Sequence, residues 1–446
     1  MSTRSRKLKA DAIDIFRAGL RAANVTEAVK RNLKLARGSL RAGEETLALG
    51  NFDRIYMVGA GKACTAMAYA VEEIVGTDRI AGGVINVKHG HTKPKPKRIK
   101  VYECGHPVPD EQGEQGAREM EELLRGLNRR DLVFVLISGG ASALLPAPAP
   151  PVTLAAKQKV TNQLLKCGAD IFELNAVRKH LSLLKGGQLA SLAYPATVVS
   201  LILSDVIGDP LDVIGSGPTA PDNSTFGDAL RVLSKFQLTK SVPRSVMARL
   251  EEGAAGRVPE TPKAGDRIFE NVHNVLVGSN RLALQAAARE AKRLGYHTLI
   301  LSSSIQGETR EAARTHAEIL REIISSDGLI SRPACLLSGG ETIVTVRGTG
   351  KGGRNQEFAL ASAIYLSNEE NWAVLSAGTD GTDGPTDAAG AFADVSTVRR
   401  AARLGISADR HLIENNAYPF FDSTGDLIKT GPTGTNVMDL RVLLAG

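Results

Sequence analysis

With 446 residues, the chain is about three times the length of a typical ~150-residue domain, so a single small binding module is excluded and two or more domains are expected. Hydrophobic residues make up 43% and charged residues 23%, and the longest apolar run, 132–137, falls far short of the roughly 18 residues of a membrane-spanning helix, so no membrane partner is expected. The net charge of +7 permits an anionic partner, but aromatics are only 4% and no docking motif accompanies the basic stretch 88–100, which argues against nucleic acid.

The N-terminal segment carries Arg4, Arg6, Lys7 and Lys9, then runs into Asp11 and Asp14 with Ile13, Phe16 and Leu20 at helical spacing, unlike the apolar block of a signal peptide. Cys64, Cys104, Cys167 and Cys335 are scattered, so neither a zinc site nor a disulfide framework is indicated and a cytoplasmic location is expected. Residues 54–58 read as a strand, 62–74 as a helix and 84–87 as the next strand, one βαβ unit. Continuous apolar runs at 131–137 and 197–203 predict strands covered on both faces, the mark of a doubly wound parallel α/β sheet. The pattern lapses into Gly, Pro and charge over 251–267, which sets domains at 1–255 and 268–446. In the second domain the spacing predicts strand 272–277, a helix from Ser279 and Asn280 to Gly295, strand 298–301, helix 308–324, strands 334–337 and 342–346, helix 355–366 and strand 373–375.

Glycine stands at 45 residues, about a tenth of the chain against a usual ~7%. Many fall in loops that leave predicted strands, which is where open parallel sheets bind ligands. Gly59-Ala60-Gly61-Lys62 could offer backbone N–H groups and a cation to a phosphate, or be a tight turn with a surface lysine. It is not a Walker A loop, since Tyr56 stands where the first glycine belongs, and Cys64 breaks the dinucleotide fingerprint G-x-G-x-x-G. Ser138-Gly139-Gly140 and Ser338-Gly339-Gly340 repeat one small-residue loop at two strand ends, a concavity suited to phosphate oxygens.

Acids gather in other loops. Asp205 and Asp209 follow strand 197–203, and Asp380, Asp383 and Asp387 crowd 378–387; each could be a turn or helix cap, or a ligand for a hard cation such as Mg²⁺. The stretch 348–357 delivers Lys351 and Arg354 on a glycine-rich loop that could close over a phosphoryl group. His89, His91 and His106 read as solvated members of a Pro- and Lys-rich loop.

The motifs GAGKA at 59–63, GHPVPD at 105–110, SGGASALL at 138–145, NAVRKHLSLLKGGQLA at 175–190, SDVIGDPLDVIGSGPT at 204–219, SGGETIVTVRGTGKGGRNQE at 338–357, GTDGTDGPTDAAG at 378–390 and TGPTGTNVMDL at 430–440 resemble the class II glycerate kinases, the glycerate 2-kinases with a C-terminal MOFRL domain. The resemblance runs through almost the whole chain in order. It implies a Rossmann-like first domain, a MOFRL region at about 332–446 and an active site in the interdomain cleft. It also implies ATP- and Mg²⁺-dependent phosphorylation of D-glycerate to 2-phosphoglycerate. A monomer or homodimer is expected. Carried over motif by motif, Lys62 and Arg354 are the cations for phosphoryl transfer, with Asp205 beside them. From the residues themselves, glycines 59, 61, 139, 140, 339 and 340 with Ser138 and Ser338 are the expected phosphate-binding loops. Asp205, Glu341 and Asp380 are metal or substrate-hydroxyl contacts, and His180, Lys185 and Asn436 complete the substrate side. Two other readings compete: an NAD(P)H-dependent hydroxypyruvate reductase, disfavoured by the broken fingerprint, and a sugar-acid or phosphate sensor, disfavoured by so many acids beside the cations.

Overall fold

The computed structural model describes residues 3–325 and 330–446. The chain divides into two compact units, one of residues 28–277 and the other of 1–27 with 278–446.

In the unit 28–277 a six-stranded sheet runs in the spatial order Lys100–Cys104, Ile80–Lys88, Arg54–Ala60, Asp131–Ile137, Thr197–Leu203, Val272–Gly278. The first five pair parallel. Strand Asp131–Ile137 is buried along its whole length, as its unbroken apolar run predicts. The order reverses between Arg54–Ala60 and Asp131–Ile137: successive connections leave these two neighbours toward opposite edges, which opens a crevice at their carboxyl ends. The strand 272–278, expected to begin the second domain, is instead the last strand of this sheet. Periodicity alone could not decide that, because a strand's sheet is chosen by pairing and not by its own pattern. A small antiparallel meander, Leu33–Ala36, Ser39–Ala42 and Glu45–Ala48, was not legible in the sequence.

Helices Leu154–Lys166, Ile171–His180, Phe226–Lys235 and Arg244–Ala254 contribute to a separate apolar cluster that includes Val160, Leu164, Leu174, Val177, Phe226 and Leu250. Their starts are set by local chemistry. Thr153 accepts from Ala156 N, Asp170 and Glu173 form a reciprocal capping box, and Thr225 and Asp228 form another.

The other unit has a mixed sheet in the order His297–Ile305, Ala334–Gly340, Asp439–Ala445, Trp372–Gly378, Gly390–Asp394, Leu427–Ile428. The first pair is parallel and the rest antiparallel. Asp439–Ala445 is therefore sandwiched between two strands running the opposite way, and its first residue lies opposite both Gly340 and Gly378. The loops after those two strands and the start of the strand between them share one sheet edge. Helix Thr3–Ala22 belongs to this unit: Asp11 accepts from Tyr296 Oη at 2.6 Å, and a β-carbon on Gly19 would sit 2.8 Å from Leu440. The expected strand 342–346 does not form; one isolated bridge joins Ile343 to Glu308, and Ile343 and Val346 are exposed. Their β-branched apolar pattern lacked a partner strand.

Candidate active site

Loops from the carboxyl ends of the central strands of the unit 28–277 interlock. Gly61 N donates to Asn86 O, Lys62 N to Gly139 O at 3.0 Å, and Ala63 N to the Ser138 hydroxyl at 3.0 Å. A β-carbon on Gly59 would lie 2.1 Å from the Leu136 carbonyl oxygen, and one on Gly61 2.1 Å from Ser138 Oγ. The sequence reading of the 59–62 loop as an open cradle of backbone donors therefore needs correction. Its amides are spent on the adjoining loops, and Ser138 is a buried tie between them. What the loop presents is Lys62, half-buried on a backbone that cannot drift.

The donors lie one loop over. Among the described residues the N–H groups of Gly139 and Gly140 have no acceptor, although Gly139 is buried. The Asp205 carboxylate closes against Gly139: a β-carbon there would be 2.4 Å from Asp205 Oδ2, so any side chain would displace the carboxylate. Gly140, at φ +87°, faces His106, whose Nε2 would be 3.1 Å from a β-carbon. His106 is thus half-buried at this loop instead of solvated. Burial, with the charges of Lys62, Lys88 and His91, holds its pKa below the ordinary histidine value, so it stays neutral near pH 7. Its neighbours in sequence gave no sign of this contact, which arises from a return of the chain. Cys64, where the dinucleotide pattern wants glycine, is buried against Leu136 O and its thiol is pushed up to about 12 by burial.

His180 and Lys185 separate in role. His180 is fully buried with both ring nitrogens engaged, Nδ1 with Ala176 O at 2.6 Å and Nε2 with Glu260 at 2.8 Å, and its ring packs edge-on against Phe226. It ties helix Ile171–His180 to the 260 loop and has no nitrogen left for a substrate. Lys185 instead lines a cavity together with Lys157 and Arg178, neither of which stood out in the sequence.

In the other unit, Arg354 opens helix Arg354–Tyr365 and reaches the shared sheet edge. Its Nε and Nη2 donate to Asp439 at 2.7 and 3.0 Å and its Nη1 to Glu341 at 2.7 Å. Burial opposes its charge, but the Asp439 pairing outweighs burial and raises its pKa further. Three bonds leave two of its five N–H donors free. Asp439 is fully buried and also accepts from Asn355 at 2.9 Å and Arg441 at 3.2 Å. Asp383 caps the same helix, accepting from the N–H groups of Asn355 and Gln356, and burial pushes its pKa up to about 6. Asp439, which sequence reasoning passed over, is the hub. Its signal was an acid opening a strand that is apolar apart from it and Arg441.

Asp380 accepts from Thr382 N at 3.0 Å through Oδ1, and among the described residues its Oδ2 has no protein donor. Asn436 Oδ1 accepts from Met438 N in a local turn beside it in the chain. Ser338, Gly339 and Gly340 do not form an open loop: they are buried inside their strand, paired on both flanks. The Ser338 hydroxyl meets His316 Nε2 at 2.8 Å, and β-carbons on Gly339 and Gly340 would strike Asn280 and Ile305. These glycines serve close packing, so the likeness of the two Ser-Gly-Gly segments ends at the sequence. The glycine loop before Arg354 is also pinned, with Arg347 N and Gly348 N bound to Asn415 Oδ1 and Lys351 N to Asn416 Oδ1.

Among the described residues no three or more His, Cys, Asp or Glu side chains converge as a metal cage. A cation at Asp205 or Asp380 would take most of its ligands from water and phosphate oxygens, a donor set that fits Mg²⁺.

Residues 11–251 match the family described as a domain of unknown function (DUF4147), and 334–439 match the MOFRL family. The chain is 45% identical over 404 residues to the D-glycerate 2-kinase of Thermotoga maritima, covering 90% of this chain and 93% of that one. It belongs to the glycerate 2-kinase family. The glycerate 2-kinase of Pyrococcus horikoshii is 42% identical, with 88% of this chain and 87% of that one covered. The crystal structure of the Thermotoga maritima glycerate kinase (EC 2.7.1.31) superposes with a TM-score of 0.89 at 42% identity, over 99% of this chain and all of the other. Membership extends over both units, so the loops described above are read as parts of a glycerate kinase fold.

Proposed function

We propose that the protein is an ATP-dependent kinase that phosphorylates D-glycerate on its 2-hydroxyl, giving 2-phosphoglycerate and ADP. The observation that carries this is the pair of unspent N–H groups at Gly139 and Gly140, held beside Lys62 and against Asp205 at the carboxyl end of a parallel sheet. Two fixed backbone donors and an ammonium suit a phosphoryl group whose negative charge spreads in transfer. Asp205, whose carboxylate lies against Gly139, is the acid we assign to accept the proton of the attacking hydroxyl. In the other unit, Arg354, aimed by Asp439 and Glu341, keeps two N–H donors that we assign to phosphate oxygens, and Asn436 and Asp380 are the residues there that we assign to substrate. Mg²⁺, held at Asp380 or Asp205, would supply charge neutralisation on the nucleotide phosphates. The catalytic work of this chain is then positioning and cation placement, with no covalent intermediate required.

Among the described residues no helix is long and apolar enough to cross a membrane, and all four cysteines are free. We read the enzyme as cytoplasmic, working as a monomer or homodimer.

The test is incubation with ATP, Mg²⁺ and D-glycerate, followed by phosphorus NMR. A 2-phosphoglycerate resonance with matching ADP supports the assignment. A 3-phosphoglycerate product would move the accepting hydroxyl. NADH oxidation by hydroxypyruvate without ATP, and no ADP under any condition, would replace the kinase with the reductase.

A further inference from the structure

A buried cation is costly unless an acid or several acceptors meet it. Helices Leu154–Lys166 and Ile171–His180, with residues 107–109 and 142–146, enclose a cavity of about 210 Å³ lined by Lys157, Arg178 and Lys185. Lys157 is 6% and Lys185 1% exposed. Each ammonium has one main-chain acceptor, Leu181 O at 3.3 Å and Gly215 O at 3.5 Å, and among the described residues none of the three cations has an acid partner. Lys179, one residue from Arg178 and as buried as the two lysines, shows the ordinary solution: it pairs with Asp222 at 3.0 Å and Asp212 at 3.5 Å. The fold thus neutralises one buried lysine and leaves three neighbouring cations facing an enclosed space.

Burial acts on all three in the expected direction, and repulsion from neighbouring cations adds to it at the two lysines. Burial, with Arg178 beside it, pushes Lys157 down to about 7, Lys185 falls well below its ordinary value, and burial brings Arg178 to about 10. An anion entering the cavity would reverse that cost. Two of its walls continue the loops of the phosphoryl site: Pro107 follows His106, and Ser142 lies two residues beyond Gly140. The volume is below the roughly 300–1,000 Å³ of pockets for drug-sized ligands, so it suits an acid of a few carbons and excludes a nucleotide.

We propose that this cavity seats the carboxylate of the three-carbon acid substrate, with Arg178 and the two lysines as its anion-binding wall. The proposal takes the acid's identity from the kinase reading, while the seat itself is a prediction about small carboxylates. The same three cations explain why glycerate would be accepted and uncharged glycerol refused, since only a carboxylate repays their desolvation.

Isothermal titration of D-glycerate, glycerol, L-lactate and inorganic phosphate into the full-length protein and into Arg178→Gln tests it. The wild type should bind D-glycerate and not glycerol, and Arg178→Gln should weaken D-glycerate roughly 30-fold or more, as loss of one partner of a buried charge pair does. The KM for D-glycerate should rise in step while the KM for ATP stays put. Lys157→Met supplies a readout that a structural lysine would not: without ligand it should unfold at a higher temperature than wild type, because it removes a buried charge lacking an acid. Unchanged D-glycerate affinity in a folded Arg178→Gln protein overturns the proposal. So does binding of phosphate alone in an Arg178-dependent way, which would make the cavity a phosphate subsite. If the wild type turns over no glycerate, the kinase reading falls by itself, and the seat then stands or falls on whether D-glycerate or L-lactate binds in an Arg178-dependent way.

Discussion

Replacing Asp439 with asparagine keeps the volume of the side chain and removes its charge. Both carboxylate oxygens are in use: Oδ1 accepts from Arg354 Nη2 and Asn355 Nδ2, Oδ2 from Arg354 Nε and Arg441 Nη2. An asparagine amide, in either orientation, turns one of those acceptors into a donor facing a guanidinium. Arg354 keeps Glu341, but Arg441, fully buried, loses the acid it is bound to and already has Nε and Nη1 without hydrogen-bond partners. Removing one partner of a buried ion pair costs about 3–5 kcal/mol; the surviving oxygen places Asp439→Asn near the lower end, about 3 kcal/mol. At roughly 2–4 °C per kcal/mol for a unit of this size, Tm should fall by about 6–12 °C. Arg354 also loses the fork that aims it, and a displacement of about 1 Å at a transferring group costs about 100-fold in kcat/KM. Thermal unfolding by circular dichroism and an ADP-release assay read the two effects. Glu341→Gln is the control: its pair with Arg354 is half-exposed, so stability should change by less than about 1 kcal/mol. A melting temperature for Asp439→Asn within about 2 °C of wild type, with full turnover, would refute the assignment of Asp439 as the hub.

Other changes separate chemistry from packing. Gly139→Ala places a β-carbon 2.4 Å from the Asp205 carboxylate and should displace it, lowering kcat by about 100-fold with little change in Tm; retained turnover would remove Asp205 from the reaction. Lys62→Ala and Arg354→Ala should each lose far more than tenfold in turnover, about 1.4 kcal/mol, and smaller losses would take them out of phosphoryl transfer. Asp383 has a native pKa near 6 against 3.8 when unfolded, so the native state holds its proton more tightly. Its contribution is complete below about pH 4 and fades as pH rises through 6, worth roughly 3 kcal/mol over that range. Stability measured from pH 4 to 7 should show this decline, and Asp383→Asn should flatten it. Because Asp439 is one of the charges that raise Asp383, Asp439→Asn should move the decline to lower pH.

Much of the fold was legible because local periodicity and burial agree. The run 132–137 is apolar throughout and lies in the middle of a parallel sheet, and Ser279 followed by an alanine-rich stretch caps and forms helix Asn280–Arg293. Where the pattern needed a distant partner it misled. Residues 342–346 have strand composition but no neighbour to pair with, and 272–278 joined the sheet behind it in sequence. At the site, Lys62 and Arg354 were visible as cations in glycine loops. That the first loop's own amides are spent, and that Gly139 and Gly140 hold the free donors, depends on which loops meet at the reversal of strand order.

Residue spacing and motif order are local properties, and from them the α/β class, most elements and the family resemblance could be read, along with the glycine-rich and acidic loops proposed for the site. What each group touches, and how deeply it is buried, follows only from the tertiary fold. Asp439 becomes the anchor of Arg354, His180 a buried tie, His106 a neutral neighbour of Gly140, and Lys157, Arg178 and Lys185 the cationic wall of one cavity. Charge, burial and hydrogen-bond vacancy are set by what the chain brings back from far away, and the cost of burying a charge is paid or left outstanding only there.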